Sequence, residues 1–347
     1  MSGELAIRQA LKDQFNRKTL SAQQISDVFK EIISGQATPA QTGAFLTALQ
    51  FSPLTSEVMF SAASAMSSFA VPCDVRPLEG LRDVLDIVGT GGDLSGFPTF
   101  NASTAAATVV AACGVKVAKH GNRSSGRCGS ADFIEALGAK MDLKSEQVVK
   151  IVDTVNFSFL FAQNFHPCMG AVASIRRELG VRTIFNWLGP LINPVKPNRM
   201  LLGVGTPDLG RLYAEVFLQQ HSEGKHGEAR AFIVHSDDGM DEISPAAGTH
   251  AWIVQDGNIT ETDISPETFG LPRHPLTSVE SGTPPQNAAT FRRILAGEGE
   301  SDPTLRPVLD FILMNSAVAL WLVGKAISSG AVRTLVEKYI QFSNTVQ

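Results

Sequence analysis

From residue 84 onward, short β-rich runs alternate with helical segments, and this alternation constrains the fold of the chain more than any other feature. The runs fall at 84–88, 115–118, 157–161, 201–205 and 231–235. Strands that alternate with helices pair in parallel, because each helix carries the chain back across the sheet. Residues 5–69 read differently. Their apolar residues recur at helical spacing, and Ser21, Thr38 and Thr55 each stand where a helix N-cap would, which predicts about four helices and no strand. Beyond residue 251 the pattern predicts a hairpin and a turn-rich stretch marked by Pro266, Pro272, Pro275, Pro284 and Pro285. Residues 287–296 and 304–328 then return to helix. The expected fold is α/β: a small all-helical domain plus a larger α/β domain whose mostly parallel central sheet is flanked by helices. A length of 347 residues agrees with two domains.

Two of the strands run into glycine-rich turns. The first turn is Gly89-Thr90-Gly91-Gly92-Asp93, and Asn101-Ala102-Ser103-Thr104 then opens an alanine-rich helix. Glycines let backbone N–H groups approach an anion closely, and a helix start adds unpaired donors and a favourable dipole end. The second turn crowds Lys119, His120, Asn122 and Arg123 around Gly121. Cations packed so closely repel one another unless an anion or a carboxylate compensates them. A solvated loop is the plain alternative for the second turn, and a tight βα turn that binds nothing is the alternative for the first. Together the pair points to a ligand bearing several phosphates.

Two further clusters carry chemistry. The stretch His235-Ser236-Asp237-Asp238-Gly239-Met240-Asp241-Glu242 follows a strand and supplies hard oxygen ligands suited to Mg²⁺ when substrate phosphates complete the coordination. Its spacing rules out an EF-hand, and an acidic surface turn is the plain alternative. In the stretch 166–191, Val172, Ile175 and Leu179 recur at helical spacing and place Arg176 beside a buried face. An unpaired guanidinium there is costly, so Arg176 requires either a carboxylate of the chain or an anionic ligand. Gly203-Val204-Gly205 after a strand is not a dinucleotide fingerprint, because the final glycine of the stretch is misplaced for GxGxxG. Pro207 and Asp208 read instead as the first turn of a helix. The chain also lacks a GxxxxGK[ST] loop, a GxSxG elbow and an HExxH helix, which argues against NTPase, α/β-hydrolase and zincin chemistry.

Charge and apolar content exclude other classes. A net charge of −5 gives no footprint for nucleic acid, so the positive charge near Lys119 and Arg123 is local and suits a small anion. The stretch 308–323 is apolar, but Asp310, Asn315 and Ser316 interrupt it below the length of a membrane span. Cys73, Cys113, Cys128 and Cys168 show no CxxC spacing and read as reduced thiols. The N-terminus is amphipathic, without a signal-peptide core or a transit-peptide composition. A cytoplasmic protein, with neither membrane nor nucleic acid as a partner, is expected.

Taken in order, GTGGD, FNAST, VAKHGNR, GSAD with EALG, HPCM, RTIFNWLGPLINP and HSDDGMDEIS resemble the anthranilate phosphoribosyltransferase family. GAFLTAL near the N-terminus and NSAVALWLVGKA near the C-terminus extend the likeness over nearly the whole chain. The resemblance implies transfer of the phosphoribosyl group of PRPP to the amino nitrogen of anthranilate in tryptophan biosynthesis, with release of pyrophosphate. It implies that Gly89, Thr90, Gly91, Gly92 and Asp93 hold PRPP together with Asn101, Ser103, Thr104 and Lys119. It implies Mg²⁺ on Asp241, Glu242 and Ser103. Gly91, His120, Asn122, His166, Arg176 and Pro190 would line the anthranilate path, with Arg176 facing the carboxylate. The implied organisation is a helical domain of residues 1–75 with roughly 166–190, hinged to an α/β domain of 76–165 and 191–347. The site is expected in the cleft between them, and a homodimer forms through the helical part.

The chain departs from that family's pattern beside both glycine turns. Leu94 stands where a glycine follows GTGGD, the stretch 94–99 is longer, and the stretch 124–128 is shorter. Two other readings fit less well. A pyrimidine nucleoside phosphorylase shares the fold but has KHS where this chain has KHGN, and lacks the acidic metal pair. A catalytically silent relative that binds nucleic acid would have lost the loop glycines and metal acids and would carry a basic surface.

Overall fold

The computed structural model describes residues 5–75, 83–91, 95–123, 126–222 and 228–325. The helix expected through 304–328 spans Arg306–Leu322 and stops where Gly324 takes a φ of +68°, while the expectations for residues 326–328 and for Gly92, Asp93, Leu94, Ser124 and Ser125 lie outside the described residues. The N-terminal layer consists of α1 (Ala6–Phe15), α2 (Ala22–Ile33), α3 (Pro39–Leu49) and α4 (Ser56–Ser67). The three caps read from the sequence are all made. Ser21 Oγ accepts from Gln24 N at 3.2 Å, Thr38 Oγ1 from Gln41 N at 3.3 Å, and Thr55 Oγ1 from Val58 N at 3.3 Å. Helix α1 has no such residue before it and is capped from outside. Glu31 of α2 accepts from Ala6 N at 2.6 Å and Ile7 N at 2.9 Å, so a carboxylate meets the positive end of the helix dipole.

The α/β part begins with β1 (Leu85–Gly89), α5 (Ala102–Ala112), β2 (Val117–Gly121), α6 (Ser130–Ala136), α7 (Ser145–Val155) and β3 (Phe157–Phe161). The short α8 (Ala162–Phe165) and then α9 (Gly170–Leu179) return the chain to the N-terminal helices, where α9 packs on α2 and α3. Next come β4 (Arg199–Gly203), α10 (Asp208–His221), β5 (Arg230–Ser236), β6 (Thr249–Gln255), β7 (Asn258–Ile264), α11 (Pro284–Leu295) and α12 (Arg306–Leu322). The strands form one sheet in the order β3-β2-β1-β4-β5-β6-β7. The pairings from β3 to β5 are parallel, and β6 and β7 add the expected hairpin in antiparallel sense. Asp256 and Gly257 turn that hairpin with φ of 52° and 73°, as a tight primed turn requires.

Alternation along the strands serves two cores. Leu201, Phe232 and Val234 point to the layer of α5, α11 and α12, whereas Met200, Leu202, Ala231 and Ile233 point to α10 and the N-terminal helices. The apolar stretch that invites a membrane reading is α12, buried along nearly its whole length. Its polar interruptions are satisfied internally. Asp310 accepts from Arg306 Nε and His274 Nε2, both at 2.8 Å, while Asn315 and Ser316 donate to carbonyls one turn back. Among the described residues no helix is long and apolar enough to cross a membrane.

Two strand positions differ from the sequence reading. The second strand runs Val117–Gly121 rather than 115–118, and the fourth Arg199–Gly203 rather than 201–205. Lys119 and His120 therefore lie inside the sheet, paired with Phe159 and Leu160 of β3, although their polarity marks them as loop residues in the sequence. The chain runs from β1 to β2 and β3 on one side and then crosses from β3 to β4 on the other side of β1, so a crevice opens beyond the carboxyl ends of β1 and β4. Both glycine turns and the acidic stretch leave strands at that end.

Helix α10 seats on the hairpin at Gly210, where a Cβ would fall 2.1 Å from the Trp252 ring. Gly210→Ala is expected to cost about 1–3 kcal/mol by overpacking. A urea unfolding midpoint equal to that of the unsubstituted protein would contradict this account of the contact.

Candidate active site

The first wall of the crevice is the turn after β1. Thr90 N donates to Gly203 O at 2.9 Å, and Gly205 N donates to Thr90 Oγ1 at 3.0 Å, so the glycines after β4 hold the turn rather than bind a nucleotide. Gly91, at φ +68°, donates its N–H to Asp241 Oδ2 at 2.8 Å. The acidic loop lies directly on backbone here. A Cβ at Gly89 would stand 2.4 Å from Asp241 Oδ2, and one at Gly203 would stand 1.5 Å from the Asp241 carbonyl oxygen. The requirement at Gly203 is invisible in the sequence, because the clashing partner lies far along the chain.

Of the acidic cluster, only part reaches the cleft. Asp238 is used within its own loop, accepting from Ser244 Oγ at 2.6 Å and from Ser236 Oγ. Asp241 and Glu242 line the cleft. Ser103 N, in the first turn of α5, donates to Glu242 Oε1 at 3.1 Å, while Glu242 Oε2 is buried without a hydrogen-bond partner. The hydroxyl of the neighbouring Thr104 is likewise buried and unpartnered. Burial, then the charge of Asp241, push Glu242 up to about 8. Adjacent carboxylates with a buried open oxygen beside hydroxyls form a hard donor set that a divalent cation would compensate. No three His, Cys, Asp or Glu side chains converge on a metal position among the described residues, so this donor set is partial without a ligand's oxygens.

The second wall is β2. Lys119 is buried, donates to the Ile87 carbonyl, and lies in the field of Asp86, Glu242 and Asp241; burial lowers its pKa while these carboxylates raise it. Asp86 is the fully buried counter-charge. Its carboxylate accepts from His120 N at 3.3 Å and Asn193 Nδ2 at 2.8 Å, and burial pushes it up to about 6 against the pull of Lys119. Asp86 and Asn193 are functional-site residues that sequence reasoning did not single out; each lies at the edge of a motif, and only pairing across strands gives it a role. The cation crowding at 119–123 is answered within the chain. Arg123 pairs with Asp132 at 2.6 Å and Glu135 at 2.8 Å, and Asn122 Oδ1 accepts from Arg123 N at 2.8 Å.

These walls enclose a cleft of about 600 Å³. It brings together Gly89, Thr90, Gly91, Asn101, Ser103, Thr104, Lys119, His120, Asn122, Asp241 and Glu242, with Arg127 and Ser281 as further lining residues. His166, Arg176 and Pro190 do not line it. His120 links the cleft to the helical side. His120 Nδ1 lies 3.2 Å from Gly189 O, beside buried Pro190, and its ring stands 5.2 Å from that of His166. That carbonyl can only accept, so Nδ1 carries the proton and the unpartnered Nε2 is left as an acceptor. Burial first, then His166, lower His120 to about 3, and burial lowers His166 to about 4. Arg176 on α9 stacks 5.8 Å over the Phe185 ring, half-buried and without a carboxylate partner among the described residues. Of the two readings of Arg176, an internal carboxylate finds no support.

A glycine-lined crevice at the switch point of a parallel sheet, facing a carboxylate pair, defines a transferase site for a phosphorylated sugar. Residues 81–344 match the family model described as "Glycosyl transferase family, a/b domain", and residues 8–70 match "Glycosyl transferase family, helical bundle domain". The chain is 40% identical to an anthranilate phosphoribosyltransferase of Desulfosudis oleivorans over 97% of its own length and 98% of the relative's. A solved structure of the Saccharomyces cerevisiae anthranilate phosphoribosyltransferase in complex with PRPP and Mg superposes with a TM-score of 0.87, at 31% identity, covering 99% of this chain and 96% of that one. The same yeast enzyme in complex with 4-fluoroanthranilate gives 0.85 at 31% identity, covering 99% and 95%. This chain belongs to the anthranilate phosphoribosyltransferase family.

The buried histidines set a pH dependence. An imidazole ordinarily titrates at 6.5, whereas His166 is held at about 4, so between these values the unfolded chain binds more protons than the folded one. The contribution of His166 is present above pH 6.5 and is lost as pH falls toward 4. The urea midpoint should climb from pH 4 to 6.5, and His166→Asn should flatten that climb; an unaltered slope would contradict the buried neutral state.

Proposed function

We propose that the chain transfers the phosphoribosyl group of PRPP to the amino nitrogen of anthranilate in tryptophan biosynthesis, giving N-(5-phosphoribosyl)anthranilate and pyrophosphate in a Mg²⁺-dependent reaction. One observation carries the reading. Gly91 N and Ser103 N, donors from the two ends of the diphosphate loop, bind directly to Asp241 and Glu242, so the cradle and the cation ligands are one structure. Gly89, Thr90, Gly91, Gly92 and Asp93 hold the diphosphate with Asn101, Ser103, Thr104 and Lys119. Asp241, Glu242 and Ser103 hold Mg²⁺, which when bound neutralises charge on the diphosphate leaving group.

Breaking the anomeric C–O bond leaves positive charge on the ribose carbon and negative charge on pyrophosphate. On this reading the Lys119 ammonium and the positive end of the α5 dipole stabilise that negative charge. The anthranilate nitrogen attacks the anomeric carbon with its lone pair and then sheds a proton; the bare Nε2 of His120 is an acceptor beside the path. Orientation by Arg176, which has no carboxylate partner among the described residues and on this reading faces the substrate carboxylate, replaces the need for a strong base. Gly91, Asn122, His166 and Pro190 complete that path. No side chain forms a ribosyl-enzyme bond.

Loss of anthranilate fluorescence on mixing protein with anthranilate, PRPP and Mg²⁺ tests the function. The signal should fall only when PRPP and Mg²⁺ are both present. Asp241→Asn with Glu242→Gln should lower kcat more than about a hundredfold without unfolding the protein, and Arg176→Ala should raise KM for anthranilate alone. Fluorescence that persists with the unsubstituted protein would defeat the reading.

The domain division proposed is 1–75 with roughly 166–190, against 76–165 and 191–347; Val172, Ile184, Phe185 and Leu188 share a core with α1–α4, and Met200, Leu202, Tyr213 and Ile233 of the α/β part close that core from the other side. We further propose a cytoplasmic homodimer. Phe15 and Phe51 on the helical layer are 78% and 87% exposed, and a second copy would cover them. Sedimentation should give twice the chain mass, falling to the monomer when both are replaced by serine. Monomers of the unsubstituted chain would exclude this assembly.

A further inference from the structure

We infer that Asn287, on α11 and outside every glycine or acidic motif, is a positioning residue for the phosphorylated substrate, acting through Asn101. The inference rests on the PRPP reading of the cleft. Asn287 is 3% exposed and stands behind Asn101 and Ser281, which line the cleft; it borders an adjoining hollow of about 450 Å³ that shares Phe100, Arg127 and Ser281 with it. Its carboxamide is fully engaged. Oδ1 accepts from Gly282 N at 2.8 Å, and Nδ2 donates to Ser281 Oγ at 3.0 Å and to Asn101 Oδ1 at 2.9 Å. Asn101 Nδ2 in turn donates to the Cys128 carbonyl at 2.9 Å.

The direction of this relay is fixed at both ends by backbone. Gly282 N–H can only donate and the Cys128 carbonyl can only accept, so each carboxamide has one permitted orientation. The relay joins the two glycine loops. Asn101 ends the first and stands at the N-cap position of α5, yet its side chain makes no bond to its own helix. It is spent on the relay instead, and Ser103 N of the first helical turn donates to Glu242 in the cleft wall. Cys128 belongs to the second loop, immediately before α6 and beside Arg127 in the cleft wall. The stretch before Asn101 is anchored to the same region, with Phe100 N donating to Val279 O and Ser281 N to Pro98 O, both at 2.8 Å. One buried asparagine on α11 thus sets the spacing between the two walls that receive the diphosphate.

Substitution separates this role from a local structural one. Asn287→Ala removes the whole relay. Asn287→Asp keeps the acceptor for Gly282 N–H but has no donor for Asn101, which can meet the new carboxylate only by turning its oxygen toward the Cys128 carbonyl. We expect both variants to raise KM for PRPP about tenfold, with kcat within about twofold and KM for anthranilate unchanged. In an Asn101→Ala background neither should add a further effect, because the relay is already cut. Asn287→Asp at unsubstituted KM would show that the residue only supports the 281–282 turn, and additive effects with Asn101→Ala would show that it acts by another route; either overturns the inference. Should the alanine variant fail to fold, the aspartate variant and the Asn101→Ala cycle still decide. Absence of PRPP-dependent turnover in the unsubstituted enzyme would instead refute the function itself.

Discussion

The close approach of the Asp241 loop to bare backbone organises the rest of this site. A carbonyl and a carboxylate of one residue pack against Gly89 and Gly203, neighbours at the carboxyl ends of β1 and β4, at separations that no side chain tolerates. That contact brings the acidic pair of the loop after β5 over the glycine turn after β1. It also lets Gly91 N and Ser103 N reach carboxylates from far along the chain. The proposed phosphate cradle and cation-binding pair are thereby drawn from several strand ends, at the place where a parallel sheet of this order leaves a crevice.

Burial then assigns the charges their work. Lys119 lies in the sheet with its ammonium between Asp86 beneath and the acidic pair above, while Arg123 is turned outward to α6. His120 and His166 are kept neutral by exclusion of water, and the Gly189 carbonyl selects the tautomer of the first. The stretch 166–193 serves the site from the side. It supplies Asn193 to Asp86 and Gly189 to His120, and it carries Arg176, which has no carboxylate partner among the described residues. On the proposed function, this arrangement separates a polyphosphate end from an aromatic acceptor's end, with His120 between them.

Much of this was legible along the chain where the cause is local. The caps at Ser21, Thr38 and Thr55 depend on a residue three positions on, and all three form. Strand alternation and the hairpin turn at Asp256-Gly257 are also short-range patterns. Legibility failed where a partner is distant. Lys119 and His120 look like loop residues and are buried strand residues, because their polarity is met by Asp86, Ile87 and Gly189. Nothing near Leu5 announces that Glu31 will cap α1. Four acids in six residues look equivalent, yet Asp238 is committed to Ser244 and only Asp241 and Glu242 line the cleft.

The sequence by itself determined the layer architecture, the glycine turns, the kind of ligand and the family, because periodicity, backbone freedom and the chemistry of side chains are properties of neighbouring residues. Only the tertiary structure decided which carboxylates meet the glycine turns, which cations are already paired, and that Asn287 is joined through Asn101 to the second loop. The reason is physical. Desolvation and hydrogen-bond satisfaction depend on what lies across a strand or an interface, and those contacts exist only once the chain has closed on itself.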